Sequence, residues 1–135
     1  MISHSQKVAF SDKELDLLKQ ATMLTSKIDD IPYLRCHEVA RAIGSILQLS
    51  VQDGYFGSVE HSWLWSTSTE SKRFPPNVLD VYAIGSLPQV QLISMRYMLP
   101  HNENYVWEVY GTFRTDIKQD VVDQLIELCL YHGPK

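Results

Sequence analysis

The sequence predicts an α+β fold in which N-terminal helices and one C-terminal helix pack on a mostly antiparallel sheet. Two segments of helical periodicity come first, about five short segments rich in aromatic and branched residues follow, and a third helical segment comes last. Helices followed by a run of strands are typical of this class. At 135 residues the chain has the length of one domain, and we expect residues 1–135 to form a single one.

The first helix is predicted to begin at Ser11 and to end near Lys27. Ser11 and Glu14 have the spacing of a capping box, in which each side chain accepts a hydrogen bond from the other residue's N–H. Asp29, Asp30 and Pro32 follow the helix and favour its end. The predicted buried face consists of Leu15, Leu18, Thr22 and Thr25, with Leu17 and Ala21 beside it.

The second helix is predicted to begin near Cys36, which therefore lies in the first turn. His37, the next residue, is rotated about 100° away from it. Gly44 costs roughly 1 kcal/mol against Ala in a helix, which indicates close packing against a neighbour. The apolar stripe has helical spacing: Cys36, Val39, Ala40, Ile43, Ile46 and Leu47.

The β-type segments are predicted at residues 49–56, 59–67, 78–84, 90–98 and 105–113. The last helix is predicted to be capped by Thr115 or Asp116 and to end before Gly133 and Pro134. Its apolar stripe is Val121, Val122, Leu125, Ile126 and Cys129, so that Cys129 is expected to be a structural core residue.

Charge and composition exclude several classes of protein. Acidic residues outnumber basic ones by 16 to 12, the formal net charge is −4 and no Lys/Arg run occurs, which argues against a nucleic-acid partner. No segment has the ~20 apolar residues of a membrane span, and residues 1–10 lack the layout of a secretory signal. Two cysteines are too few for a disulfide framework. We therefore expect a cytoplasmic protein with free thiols; its oligomeric state is left open.

Three residues form a pattern that suggests catalysis: Cys36, His61 and Asp80. A hairpin whose turn centres between Glu70 and Ser71 pairs His61 with Asp80 on one face of the sheet. A carboxylate within an apolar strand is costly unless it is paired, and the facing histidine is its obvious partner. A cysteine in the first turn of a helix is favoured as the nucleophilic thiolate.

Structural interpretations of these residues stay open beside the catalytic one. Cys36 on an apolar stripe has the pattern of an inert core cysteine, and His61 that of a hydrogen-bonded core histidine. The pair Cys36 and His37 suggests a metal ligand pair, but adjacent helical residues point to different faces and no second pair of zinc spacing exists. The sequence therefore predicts no metal site. The aromatic residues Trp63, Trp65, Tyr82 and Trp107 are expected to be core or cleft walls.

Three segments together resemble the papain-like, transglutaminase-like cysteine enzymes. They are Cys36-His37-Glu38-Val39-Ala40 at a helix start, His61-Ser62-Trp63-Leu64-Trp65 and Leu79-Asp80-Val81-Tyr82. In that superfamily a cysteine heads a helix, a histidine lies on the following strand, and an aspartate or asparagine on the next. The resemblance covers about residues 31–84 and implies a catalytic core of about residues 31–113.

The resemblance also implies roles for individual residues. Cys36 would be the nucleophile, His61 the general base and acid, and Asp80 the group that orients the imidazole. Many members carry a Gln before the cysteine as an oxyanion donor, but this chain has none between Ala21 and Arg35. Tyr33 is the candidate for that role.

These observations predict a small cysteine-dependent hydrolase, a peptidase or amidase, that acts on a peptide or other amide substrate through an acyl-enzyme. No cofactor is required for this chemistry. Two alternatives stay open: a binding or interaction module without turnover on the same fold, and a thiol acyltransferase.

Overall fold

The computed structural model describes residues 10–57, 59–66, 77–82, 97–99, 105–107 and 114–131. These residues form three helices, α1 (Asp12–Thr25), α2 (Cys36–Leu47) and α3 (Gln119–Leu130). They also form five strands, β1 (Val51–Phe56), β2 (Val59–Trp65), β3 (Val78–Asp80), β4 (Tyr97–Leu99) and β5 (Tyr105–Trp107). The described strands make one sheet in the order β4-β3-β2-β1-β5, and each neighbouring pair is antiparallel. The predicted α+β class is confirmed.

Helix α1 begins with the predicted capping box. Ser11 Oγ accepts the Glu14 N–H and Glu14 Oε1 accepts the Ser11 N–H, both at 3.0 Å. The helix ends at Thr25, two residues before the predicted end. The predicted buried face is wrong for Leu15, which is 48% exposed, and for Thr22, which is also exposed, because a neighbouring stripe of the helix faces the core. That stripe is Glu14, Leu17, Ala21 and Thr25.

Helix α2 packs closely on the sheet at Gly44. A Cβ at this position would lie 2.8 Å from Leu64 Cδ2, 3.0 Å from the Leu49 carbonyl oxygen and 3.2 Å from Val51 Cγ2. The close packing that Gly44 predicted is therefore confirmed, and it brings the whole of α2, with Cys36 at its start, against β1 and β2.

Helix α3 begins later than predicted. Lys118 is its N-cap and makes no side-chain capping bond, so the predicted caps Thr115 and Asp116 are wrong. Asp116 instead accepts hydrogen bonds from the guanidinium groups of Arg35 and Arg114. On α3, Val122, Leu125 and Cys129 face the core, as predicted.

The strands are shorter than the predicted segments. Strand β1 starts at Val51 and β3 stops at Asp80, while Val81 and Tyr82 lie outside regular strand. The predicted residues 83–84, 90–96 and 108–113 lie outside the described residues. Strands β2 and β3 pair as Leu64 with Leu79 and Trp65 with Val78. The predicted register, with His61 directly opposite Asp80, is therefore wrong by two residues.

The two faces of the sheet carry different cores. The helices cover the face that carries Leu64, Leu79, Val81 and Met98. The opposite face carries an aromatic cluster of Trp63, Trp65, Val78 and Tyr105, with Phe56 packed against it. Because side chains alternate along a strand, His61 and Asp80 belong to the aromatic face and Ser62 to the helical face.

Candidate active site

Cys36 is the first residue of α2 and is 7% exposed. The N-cap residue Arg35 makes no side-chain capping hydrogen bond. Its guanidinium binds Glu38, with Nε 2.8 Å from Oε1, and reaches Asp116 at 3.1 Å. Backbone N–H groups of the first turn and the helix dipole place partial positive charge beside the sulfur. This environment favours a thiolate.

His61 and Asp80 form a buried pair on the aromatic face. His61 Nε2 lies 2.8 Å from Asp80 Oδ2, and Asp80 is 0% exposed. The same Oδ2 accepts the Tyr105 hydroxyl at 2.7 Å, and Oδ1 accepts the Tyr82 N–H at 3.2 Å. The carboxylate is thus held by donors from His61, Tyr105 and Tyr82, among others. Burial lowers the pKa of His61, but hydrogen bonds to Asp80 and Cys36 outweigh it and raise the pKa to about 9.

The two-residue register error does not separate this pair. A shift of two residues keeps both side chains on the same face, since the side-chain period of a strand is two. Asp80 then lies diagonal to His61 rather than opposite it, a separation that long side chains span. The predicted contact between His61 and Asp80 is therefore confirmed, although the predicted register is wrong.

The Cys36 sulfur interacts with two imidazoles. It lies 3.6 Å from Nδ1 of His37, and hydrogen bonding and charge from His61 also act on its pKa. Burial raises the pKa of the thiol, but these hydrogen bonds and the electrostatic influence of both rings lower it to about 6. Since Nε2 of His61 is bound to Asp80, Nδ1 is the atom left for the sulfur. The structure therefore joins His61 directly to Asp80, and His61 acts on the Cys36 thiol through charge and hydrogen bonding.

The end of β3 is linked to the segment that precedes α2. Strand β3 pairs with Leu64 and Trp65 of β2. His61 lies three residues closer to the start of β2 than Leu64, the last paired residue on that side. The Tyr82 hydroxyl, just beyond β3, donates to the Leu34 carbonyl oxygen. The segment that leads into α2 is thereby tied to the end of β3.

The structure places Tyr33 away from the thiol. Tyr33 has a left-handed backbone, with φ of 65°, and is 99% exposed. A side chain so exposed does not line a buried site, so the expected oxyanion donor is absent from this position. The tyrosine near the thiol is Tyr82: burial raises its pKa, and so does the charge of Cys36.

Sequence reasoning missed a second set of polar residues behind Cys36. His37 is buried and Nδ1 lies 2.7 Å from Ser62 Oγ, although its predicted direction was away from Cys36. The 100° rotation separates the Cβ atoms, but at the helix start both side chains meet the sheet. Ser62 is paired with Asp53 in the β1–β2 register. The signal in the sequence was the presence of Asp53 and Ser62 within strands of mostly apolar and aromatic residues.

Comparison with protein-family models, curated proteins and solved structures finds no significant match for this chain. Among the helices described above, none has the length and apolar character of a membrane span. Within the same residues, no group of three or more His, Cys, Asp and Glu side chains is arranged to hold a metal ion.

Proposed function

We propose that this protein is a cysteine-dependent hydrolase, a peptidase or amidase, with a papain-like, transglutaminase-like core. The order of parts supports this: Cys36 heads a helix, His61 lies on a following strand and Asp80 on the next strand along the chain. The helix packs on an antiparallel sheet, as in that superfamily. In this proposal Cys36 is the nucleophile, His61 the acid and base, and Asp80 the orienting group.

The observation that carries the proposal is the placement of the groups: Cys36 is the first residue of α2, and His61 Nε2 lies 2.8 Å from the fully buried Asp80. The pKa of Cys36 is lowered to about 6, and that of His61 is raised to about 9, for the reasons given above. Between these pH values the site favours a thiolate beside an imidazolium. That pair supplies both the nucleophile and the proton that acylation requires.

Acylation follows from this arrangement. The Cys36 thiolate attacks the carbonyl carbon of an amide, and the electron pair of the C=O bond moves to oxygen. The N–H of Cys36, at the helix start, is the candidate donor to this oxyanion. When the intermediate collapses, the C–N bond breaks and His61 gives its proton to the leaving amine. A thioester on Cys36 and a neutral imidazole remain.

Deacylation uses the same groups in reverse roles. Neutral His61 takes a proton from a water molecule, whose oxygen attacks the thioester carbonyl. Asp80 holds the imidazole by Nε2 and stabilises the positive charge that forms on it. Release of the carboxylic acid returns the thiolate and imidazolium. These steps use no cofactor, and the free thiol that they require suits a cytoplasmic protein.

The low exposure of Cys36 favours a second candidate, a binding module that keeps the fold without turnover. A thiol that is 7% exposed offers little surface to a substrate. On this alternative the buried ionic pair would stabilise the fold, and the thiol would react slowly with every electrophile. A thiol acyltransferase is the further alternative, since an acyl-enzyme can also be resolved by an amine.

The test is acylation by p-nitrophenyl acetate at pH 7.5, followed by intact-protein mass spectrometry and release of p-nitrophenol. A Cys129→Ser variant, which keeps Cys36, is the matched control. We expect an acetyl adduct on Cys36 that disappears by hydrolysis over many turnovers, and no turnover in Cys36→Ala or His61→Ala. If the wild-type protein were acetylated no faster than Cys36→Ala, the result would contradict the proposal. A stable adduct that also forms from acetyl-coenzyme A would favour the acyltransferase.

A further inference from the structure

A buried chain of polar residues extends from Cys36 on the helical face of the sheet, away from His61. We call its members, His37, Ser62, Asp53 and Arg41, the Ser62 arm. His37 Nδ1 lies 2.7 Å from Ser62 Oγ, which lies 2.6 Å from Asp53 Oδ1. Arg41 binds both oxygens of Asp53, at 3.0 and 2.6 Å. Acylation as proposed above uses none of these side chains.

The directions of these hydrogen bonds fix the tautomer of His37. The guanidinium of Arg41 keeps Asp53 ionised, so the carboxylate can only accept. The hydroxyl of Ser62 must therefore donate to Asp53, which leaves its oxygen to accept from His37. The hydrogen of His37 is consequently on Nδ1, the atom 3.6 Å from the Cys36 sulfur. Arg41 also donates to the His37 carbonyl oxygen at 3.1 Å, which ties the helix start to the same network.

We propose that His37 is a second positioning residue for the Cys36 thiolate, and that the Ser62 arm keeps the hydrogen of His37 on Nδ1, where Ser62 Oγ at 2.7 Å and the sulfur at 3.6 Å share it. The inference rests on the proposed function, because it assigns a role within that site. It gives the two imidazoles different tasks. His61 transfers protons, whereas His37 keeps its hydrogen, since removing it would leave a nitrogen lone pair facing the Ser62 oxygen.

The role of His37 belongs mainly to deacylation. In that step His61 is occupied as the base for water, and the sulfur leaves the carbonyl carbon with the electron pair of the C–S bond. A fixed N–H donor stabilises the departing thiolate without itself losing a proton. Such a preorganised donor acts where charge develops.

The measurement is the pH profile of Cys36 alkylation by iodoacetamide, in a Cys129→Ser background. The titratable groups that face the sulfur are His37 from α2, His61 from β2 and Tyr82 from the segment after β3. Asp53 and Asp80 act on it through the two imidazoles. The wild-type rate is expected to rise with an inflection near pH 6, below the ordinary value of 9.0 for a thiol.

Two serines provide a matched pair of variants. Ser62 and Ser66 are both buried, and each donates to a buried carboxylate at 2.6 Å, Ser62 to Asp53 and Ser66 to Glu14. Ser62→Ala should raise the alkylation inflection by about one pH unit, and Ser62→Thr, which retains a hydroxyl, should restore it. Ser66→Ala should lose comparable stability and leave the inflection unchanged. His37→Ala should shift the inflection at least as far as Ser62→Ala. If circular dichroism shows that Ser62→Ala does not fold, His37→Ala replaces it as the test variant.

An unchanged inflection in folded Ser62→Ala and His37→Ala, or an equal shift in Ser66→Ala, would overturn the inference. The proposed function would stand in that case, provided that the wild-type inflection is low and acylation proceeds. A wild-type inflection near pH 9 would instead overturn the proposed function, and the inference with it.

Discussion

Asp80 accepts hydrogen bonds from His61, Tyr105 and Tyr82, and none of its surface is exposed. A buried carboxylate is stable only when charge and hydrogen bonds compensate its desolvation. The apolar neighbours of Asp80 in the sequence already indicated that a partner must exist, and they pointed to His61. Tyr105 could not be predicted, because it comes from a strand far along the chain.

Replacing Asp80 should destabilise the protein as well as the site. Asp80→Ala removes the acceptor of the His61 imidazole and of the Tyr105 hydroxyl, both of which stay buried. We expect the free energy of unfolding to fall by about 3 kcal/mol or more, as measured by urea denaturation at pH 7. Asp123→Ala, which removes an exposed carboxylate on α3, should change it by less than about 0.5 kcal/mol. Equal effects of the two variants would contradict this account of Asp80.

The stability that the His61–Asp80 pair contributes should depend on pH. The pKa of His61 is raised from 6.5 to about 9 in the folded protein, so its contribution is complete below pH 6.5 and is lost as the pH rises through about 9. The difference in unfolding free energy between wild type and Asp80→Asn should therefore narrow over that window. Chemical denaturation at pH 6.5, 8 and 9.5 measures it, and a difference that stays constant would contradict a charged His61.

Tyr33, which is near Cys36 in the sequence, and Tyr82, whose pKa the charge of Cys36 affects, should behave differently. Tyr82→Phe removes the hydroxyl that binds the Leu34 carbonyl oxygen, and we expect a loss of about 1 kcal/mol in unfolding free energy and slower acylation by p-nitrophenyl acetate. Tyr33→Phe should change neither, because Tyr33 is in solvent. A larger effect of Tyr33→Phe on acylation would restore the expected oxyanion role of that residue.

At the scale of elements, the sequence predicted the helix start that depends on neighbouring residues and missed the helix start that depends on distant partners. The capping box of α1 is local, since Ser11 and Glu14 bind each other. The start of α3 is not local: Asp116, a good cap by residue type, is bound by Arg35 from before α2 and by Arg114. Competing ion pairs thus displaced the cap, and the partner Arg35 lies far from residues 114–119 in the sequence.

Gly44 tests the packing of α2 on the sheet. Ala favours helix by roughly 1 kcal/mol over Gly, but a Cβ would lie 2.8 Å from Leu64 Cδ2 and 3.0 Å from a backbone oxygen. We expect overpacking to prevail, so that Gly44→Ala lowers the unfolding free energy by about 1–3 kcal/mol. Ser45→Ala, at the exposed neighbouring position, should raise it slightly. Thermal denaturation compares them, and stabilisation by Gly44→Ala would contradict the close contact.

At the scale of the whole molecule, the sheet curls toward its aromatic face. In the strand order, β5 and β3 are separated by β1 and β2, which in a flat sheet is about 14 Å at the usual strand spacing. Tyr105 on β5 nevertheless donates to Asp80 on β3 at 2.7 Å. This curl depends on pairings between distant segments, so the sequence predicted the order of helices and strands but not the position of β5 at the edge beside β1.

The start of α2 is linked to the segment before α3 through a buried carboxylate. Glu38 binds Arg35 and accepts the Lys118 N–H at 3.1 Å. Burial raises the pKa of Glu38, but the hydrogen bonds to Arg35 and Lys118 outweigh it and hold the pKa below 4.5. Its contribution to stability is therefore present above pH 4.5 and is lost as the pH falls further.

Glu38→Gln should accordingly destabilise the protein at pH 7 by about 1–3 kcal/mol, and less at pH 3. Glu127→Gln on the exposed face of α3 is the control and should change neither value. Urea denaturation at the two pH values measures both. A loss that grows on acidification would contradict the ionised state of Glu38.

The central claim is that the Cys36 thiolate and the His61 imidazolium form an ion pair that Asp80 orients. The most direct measurement is a titration of the histidine side chains by nuclear magnetic resonance, with His61 assigned from the His61→Gln variant. We predict that the His61 imidazole is charged at pH 7.5 and loses its proton near pH 9. An imidazole that is neutral at pH 7.5, with a midpoint at or below its ordinary 6.5, would contradict the claim.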